Sequence, residues 1–451
     1  MTWCVMSRLL AECKHRQNQA LLNQILGRGV REIVKKNKDL YLIAAASDPT
    51  RRRLYCWGFA ETGALGETKI RGNTMKYASS HRPVRKKFGM THRLVDIACG
   101  YGYTLYVTHK QNGRQLYGSG LNTDSQMGFQ TVRGPKYPLK LVYNIVPVRV
   151  PLKQPEKTRV MKAAAGRAHS FVLTDKEGVF SFGNNNFGQC ARRIVDDEDY
   201  SAYRELWRVS ALDEECVVDI VCGHDHSLFL TESGKVLSCG NGADGQTGLG
   251  HYKACSTPTL VEGDIKDEKI VKISSASDTV LAINDKGDVF GWGNNEYFQL
   301  PLEQISQQVN TPTYLPRIRK QVGAVKDVAS AGSASMVLSE NGEVFVWGHG
   351  LLGKGPEFTF SQEPSLIPMT LFGYSAFRED VKVSALSCGL TTMAAVNNYG
   401  DLYTWGKNQY GQLGLGHRYD QYHPMKVSLG GSVIKVCCGV DHMVAMCLAF
   451  K

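Results

Sequence analysis

The chain has 451 residues, 43% of them hydrophobic and 21% charged, and no apolar run of the roughly 18 residues that a membrane-spanning helix needs. Its net charge of +11 is concentrated at the front, because residues 1–93 hold 19 Lys/Arg against 6 Asp/Glu while the rest is nearly neutral. This argues against a uniformly basic, nucleic-acid-binding body. Thirteen cysteines at irregular spacing, with no C-x-x-C pair and no zinc-type Cys/His cluster, argue against a metal framework and for reduced thiols.

Residues 1–45 form the first predicted segment. Within residues 1–38, Arg8, Lys14, Arg16, Arg28, Arg31, Lys35, Lys36 and Lys38 stand against only Glu12 and Glu32, and Leu21, Leu22, Ile25, Leu26, Val30, Ile33 and Val34 have near-helical spacing. A basic amphipathic segment poor in acids is what a mitochondrial transit peptide requires, and the alternative is a basic surface helix. Mitochondrial location, in the matrix or on the matrix side of the inner membrane, is the expectation.

Residues 46–451 read as a repeat. An apolar run closed by glycine occurs seven times, ending at Gly58, Gly120, Gly183, Gly240, Gly293, Gly348 and Gly406. A second signal precedes six of these: Cys99-Gly100, Ala165-Gly166, Cys222-Gly223, a degenerate Ser275-Ala276, Ala331-Gly332 and Cys388-Gly389. Cys438-Gly439 adds a seventh. Each leads into an apolar strand and usually a Gly-containing turn, which predicts a β-hairpin. A third element, such as Asn241 to Gly250 or Asn408 to Gly416, is rich in residues that tolerate left-handed backbone, and a proline (Pro258, Pro312, Pro368, Pro424) then precedes the next strand.

A small antiparallel sheet of this size cannot bury both faces alone, and packing seven radially solves that problem. The prediction is an all-β, seven-bladed β-propeller. The ends are offset: Cys438 to Leu448 lacks a following aromatic-Gly strand, and Leu54 to Gly58 has only a weak upstream partner around Leu40 to Ala46. The N- and C-terminal strands should therefore pair and close the ring non-covalently.

The stretches Cys222 to Gly240 and Gly406 to Gly414 resemble the repeat of the regulator-of-chromosome-condensation family, over about residues 54–451. Cys99 to Leu105, Gly245 to Tyr252 and Cys438 to Val444 are most similar to its mitochondrial branch. The resemblance implies a guanine nucleotide exchange factor that presses one propeller face against a GTPase, or a scaffold. For the mitochondrial branch it implies exchange toward a dynamin-like GTPase or support of ribosomal RNA and mitoribosome assembly.

Candidate sites follow from the turns. Arg167, His224, Asp225, Asp278 and Asp441 precede the repeated strand starts and are the expected partner-binding face, solvated or capping loop residues being the alternative. His169, His226 and His442 recur at one repeat position and are expected as structural residues, one per blade, rather than metal ligands. Residues 68–93 carry eight Lys/Arg and no acid and read as an inserted loop whose Arg82, Arg85, Lys86 and Lys87 contact RNA or an anionic membrane surface, a disordered, solvated loop being the alternative. The acidic residues Asp196 to Asp199 and Asp213 to Glu215 read as a solvated rim. Gly348 to Gly355 nearly matches a phosphate-binding loop but has glycine where Ser or Thr must reach magnesium. No cofactor, metal or catalytic centre is expected. The sequence favours a mitochondrial scaffold for ribosomal RNA or mitoribosome assembly, with ribosome assembly factors, RNA and the inner-membrane surface as partners; the alternative is exchange on a mitochondrial GTPase.

Overall fold

The computed structural model describes residues 52–66, 69–70, 73–74, 80–86, 93–111, 114–131, 139–202, 206–304 and 306–450. The expected transit segment and its boundary at residue 45 lie outside them, as does Lys87. Among the described residues no helix is long and apolar enough to cross a membrane.

Among the described residues, seven four-stranded antiparallel sheets stand around an axis, together with one two-stranded ribbon. Blade 1 is the composite one. Its inner and second strands, Gly431–Cys438 and His442–Ala449, come from the end of the chain, and its third and outer strands, Arg52–Gly58 and Ser80–Lys86, from the front. Leu54 pairs with Met446, Trp57 with Met443 and Gly58 with His442. The closure expected from the offset ends is therefore the closure found. Blades 2 to 7 follow in chain order, with inner strands Arg93–Cys99, Val160–Ala165, Val217–Cys222, Ile270–Ser274, Val325–Ser330 and Val383–Cys388.

The repeat motifs hold neighbouring blades together. Trp57, Trp292 and Trp347 are fully buried, and their indole N–H groups donate to the carbonyls of Gln412, Gln246 and Gln299 in the loop after the third strand of the preceding blade, at 2.9, 3.0 and 2.7 Å. Gly248 and Gly414 lie against the indoles of Trp292 and Trp57, where a Cβ would sit 2.9 and 2.7 Å from Nε1. The near-match to a phosphate loop is spent the same way: Gly353 lies against Trp405, and Lys354 bonds Ser365 and covers the Phe358 ring.

Two expectations shift. Pro258, Pro312 and Pro424 lie within the outer strands, not before the next strand, each at the end of a bulge opposite the third strand. An outer strand has a free edge, so a residue without an N–H is tolerated there. In blade 6 the equivalent is Pro364, whereas Pro368 follows the strand. Second, Ala331 is the counterpart of the repeated glycine: its N–H bonds Ala334, as that of Gly223 bonds His226. The Ala331-Gly332 copy is thus one residue out of step with Ala165-Gly166.

Candidate functional site

The turns from inner to second strand all open at one end of the axis and form the mouth of the propeller. Their first half is fixed by a repeated contact. His169, His226 and His442 are buried and lie over Gly166, Gly223 and Gly439, where an added Cβ would be 2.3, 2.0 and 2.5 Å from imidazole Cε1. In blade 2, Tyr103 takes the same place over Gly100. Each histidine Nε2 reaches a hydroxyl on the next blade: Ser227 at 3.0 Å, Ser275 at 3.2 Å and Thr104 at 2.9 Å. Those hydroxyls already donate to carbonyls (Ser227 to Gln189, Ser275 to Thr279, Thr104 to Ala64), so imidazole must be the donor and carries its proton on Nε2. Burial holds the three pKa values down at about 3, 4 and 4. They are neutral interblade bolts, as the repeat position implied.

The two residues between glycine and histidine make the mouth itself. The first, on one blade, faces the second on the next. Arg167 of blade 3 forms a bidentate pair with Asp225 of blade 4, Nε to Oδ1 at 3.1 Å and Nη2 to Oδ2 at 2.6 Å. His224 of blade 4 approaches Asp278 of blade 5 at 3.4 Å, and Gln246 donates to the same carboxylate at 3.1 Å. The Asp278 contact raises the His224 pKa against the effect of its burial. Burial, the largest single influence, would raise the Asp278 pKa, but the His224 contact, the nearby His226 and the Gln246 hydrogen bond together outweigh it and the pKa is lowered. Four of the five predicted face residues thus form one charged cluster.

Asp441 stands apart. It belongs to blade 1, and the residue in the position that Arg167 and His224 occupy on the preceding blade is Leu390. Among the described residues its carboxylate has no ion-pair partner, and its half-burial raises its pKa. It is the mouth's uncompensated negative charge.

Sequence reasoning missed two features. Tyr101, at the same turn position as Arg167, stacks beside His224 with ring centroids 5.2 Å apart and donates its hydroxyl to the Ala276 carbonyl at 3.3 Å. It thereby spans from blade 2 to blade 5 and roofs an axial cavity of about 190 Å³. The second lies deeper. Four residues before each repeated glycine or its counterpart stand Lys435, Asp96, Lys162, Asp219, Lys272, Asp327 and Ala385, in order around the axis. Lys435 pairs with Asp96, Lys162 with Asp219 and Lys272 with Asp327. Asp96 and Asp327 also accept backbone N–H groups of Ala163 and Leu386 on the following blade, at 3.2 and 2.9 Å. The alternation of sign was legible, but only with the seven copies in register.

The basic residues are placed differently from the expected loop. Arg82, Arg85 and Lys86 belong to the outer strand of blade 1, pairing with Arg52–Gly58, because that blade needs a fourth strand. Arg82 and Arg85 are exposed, and Lys86 reaches the Gly66 carbonyl at 3.4 Å. The acidic segment serves local pairs, Arg192 with Glu198 and Arg208 with Asp213.

Fold and mouth together define a closed seven-bladed propeller that presents a charged face over an axial cavity. Family comparison agrees. Residues 44–375 match the RCC1-like domain and residues 399–446 the regulator of chromosome condensation (RCC1) repeat. The chain belongs to the RCC1 repeat family. It is similar to the RCC1-like G exchanging factor-like protein of Mus musculus, 43% identical over 434 residues and 94% of each chain, and of Homo sapiens, 44% identical over 407 residues, 88% of this chain and 87% of that one. It also resembles the crystal structure of human WBSCR16, with TM-score 0.83 and 43% identity over 89% of this chain and 100% of that one.

Proposed function

We propose that the mouth docks a GTP-binding protein and promotes release of its guanine nucleotide. The observation that carries this reading is the mouth's charge layout: two carboxylates compensated across blade seams, and Asp441 left without a cation. Half-buried charge without a partner is costly for the chain alone and is repaid when a cation from another molecule reaches it. An exchange factor works by binding the nucleotide-free state of its GTPase better than the loaded state, and a rigid face is suited to such selection. The names of the mouse and human relatives support the same activity. We place this action in mitochondria, on the basic amphipathic character of residues 1–45.

The test is release of a fluorescent GDP from purified mitochondrial GTPases, including dynamin-like ones. The full chain should accelerate release, and Asp441→Asn should reduce the acceleration by about tenfold, the scale of a charged interface contact. Failure of the chain both to bind and to accelerate any of them would overturn the proposal.

A second reading, a scaffold in ribosomal RNA or mitoribosome assembly, is favoured by a different surface. Exposed Arg82 and Arg85 stand on the outer strand of blade 1; Arg82 lies beside Gly416, its neighbour His81 accepts from Arg418 at 3.3 Å, and Tyr419, next to Arg418 in sequence, is 78% exposed. Cations interleaved with an aromatic suit a phosphate backbone. Under this reading Arg82→Glu with Arg85→Glu moves the protein from heavy to light fractions in gradient sedimentation of mitochondrial lysate, as ribonuclease does. No movement in either case rejects it.

A further inference from the structure

The innermost strands meet at a repeated two-residue contact. The residue two before the repeated glycine on one blade faces the residue just before that glycine on the next. Around the ring these pairs are Ala98 with Ala165, Ala164 with Cys222, Val221 with Ser275, Ser274 with Ser330, Ala329 with Cys388, Ser387 with Cys438, and Cys437 with Cys99. The blade 5/6 pair shows the geometry: the Ser330 N–H donates to Ser274 Oγ at 3.2 Å and Ser330 Oγ donates to the Ser274 carbonyl at 3.3 Å. At the blade 1/2 seam sulfur replaces oxygen. The Cys99 N–H donates to Cys437 Sγ at 3.1 Å, and Cys99 Sγ approaches the Cys437 carbonyl at 3.5 Å. This is the one seam of the seven where both positions are cysteine.

We propose that Cys437 and Cys99 form a peroxide-sensitive dithiol that converts to a disulfide and seals the ring covalently. Both line the axial cavity of about 190 Å³, which is wide enough for hydrogen peroxide. Lys435, two residues before Cys437 and on the same side of the strand, lines it too, with Asp96 as its partner. The contact from Cys99 and the Lys435 ammonium hold the Cys437 pKa below the usual thiol range against its burial, whereas burial pushes Cys99 well up. The two therefore differ as a peroxide-reacting thiol and a resolving thiol must.

The chemistry balances. The Cys437 thiolate attacks one peroxide oxygen, the O–O bond breaks, and hydroxide leaves to take up a proton as water. The sulfenic acid so formed is attacked by Cys99, the S–S bond forms, and the second water leaves. Two thiols lose two electrons in total and one peroxide gains them. The bond joins residues 338 apart in sequence and links the C-terminal half of blade 1 directly to blade 2. Ring closure then no longer depends on the strand pairing of Arg52–Gly58 alone.

The full-length protein, reduced and then exposed to hydrogen peroxide, is digested without reductant and its peptides are analysed by mass spectrometry. The expected product is a Cys99–Cys437 cross-linked peptide, reversed by dithiothreitol and accompanied by faster migration of the intact chain on a non-reducing gel. Cys99→Ser should stop oxidation at the sulfenic acid, with dimedone labelling Cys437 at least about tenfold faster than buried Cys222. Cys437→Ser should abolish both products. The Ser274–Ser330 seam indicates that serine is accommodated in either place, and unchanged circular dichroism checks it; Cys99→Ala, which copies Ala165 at the equivalent position of blade 3, is the alternative should Ser fail. Labelling of Cys437 no faster than of Cys222, or cross-linking of Cys437 to Cys438 or Cys388 instead of Cys99, overturns the proposal.

Discussion

Acidification from about pH 7.5 to about pH 5.5 should weaken the propeller by about 4 kcal/mol through His169, His226 and His442. All three are buried, with pKa values of about 3, 4 and 4, whereas an unfolded chain returns them to about 6.5. The unfolded state therefore binds protons first as the pH falls, and stability drops below about pH 6.5, continuing until the folded pKa values are reached. At pH 5.5 the ratio of protonated to neutral histidine in the unfolded chain is about ten, which is worth about 1.4 kcal/mol for each group. The geometry supplies the cause: a second proton would go on Nδ1, which is buried without a partner in all three. Equilibrium urea unfolding at both pH values measures the effect, and His442→Tyr separates it from titrating carboxylates. Tyrosine already fills this slot in blade 2, where the Tyr103 hydroxyl donates to the His169 carbonyl at 2.6 Å. The variant should lose about a third of the histidine contribution to the pH dependence. An identical pH dependence in wild type and variant would refute the argument that these imidazoles stay neutral in the fold.

Three other outcomes follow. Gly223→Ala should destabilise by at least about 3 kcal/mol in thermal or urea unfolding, since its Cβ would sit 2.0 Å from His226 Cε1, and adding His226→Ala should recover part of that loss. Asp327→Ala should cost about 2–3 kcal/mol by the same measurement, because it leaves the Leu386 N–H and the partly exposed Lys272 unpaired. Leu390→Arg should supply the cation that Asp441 lacks, lower the Asp441 pKa as read by carboxylate NMR, and raise the melting temperature while reducing GDP release from the partner. A melting temperature that falls, with an unmoved Asp441 titration, would separate Leu390 from that carboxylate.

What the sequence displayed and what it hid differ by physical kind. The aromatic-Gly strands, the Gly-x-x-His turns and the offset ends are local patterns, so blade number and closure could be read from the chain alone. The position of Arg82 and Arg85 could not, because the strand at Ser80–Lys86 has Pro83 within it and alternates poorly, and an outer strand needs only one paired edge. Of the five residues assigned to the face, the turn position itself located all of them on the mouth. Their pairing remained hidden, since Arg167 and Asp225 are 58 residues apart and belong to different repeats. Tyr101 escaped notice because in its own repeat it is one aromatic among several; its reach to Ala276 exists only when blades 2 and 5 face each other across the axis.

Seven is odd, and that has a consequence for the inner ring of charges. Lysine and aspartate cannot alternate around an odd number of positions without two like charges meeting, so one position must be neutral, and Ala385 of blade 7 fills it between Asp327 and Lys435. At the mouth the described residues form such pairs at two seams, Arg167 with Asp225 and His224 with Asp278; four other seams have uncharged residues at both positions, and at the seam between blades 7 and 1 Leu390 faces the lone charge of Asp441. The neutral inner position and the lone mouth charge therefore both fall beside the one blade made from the two ends of the chain. Strand pairing of Arg52–Gly58 with His442–Ala449 already holds that blade together. A seam beside it can spare an ion pair at smaller risk than one between single-segment blades. The charge left over at Asp441 is then available for an external cation, which is why the proposed docking surface is centred on the closure of the ring.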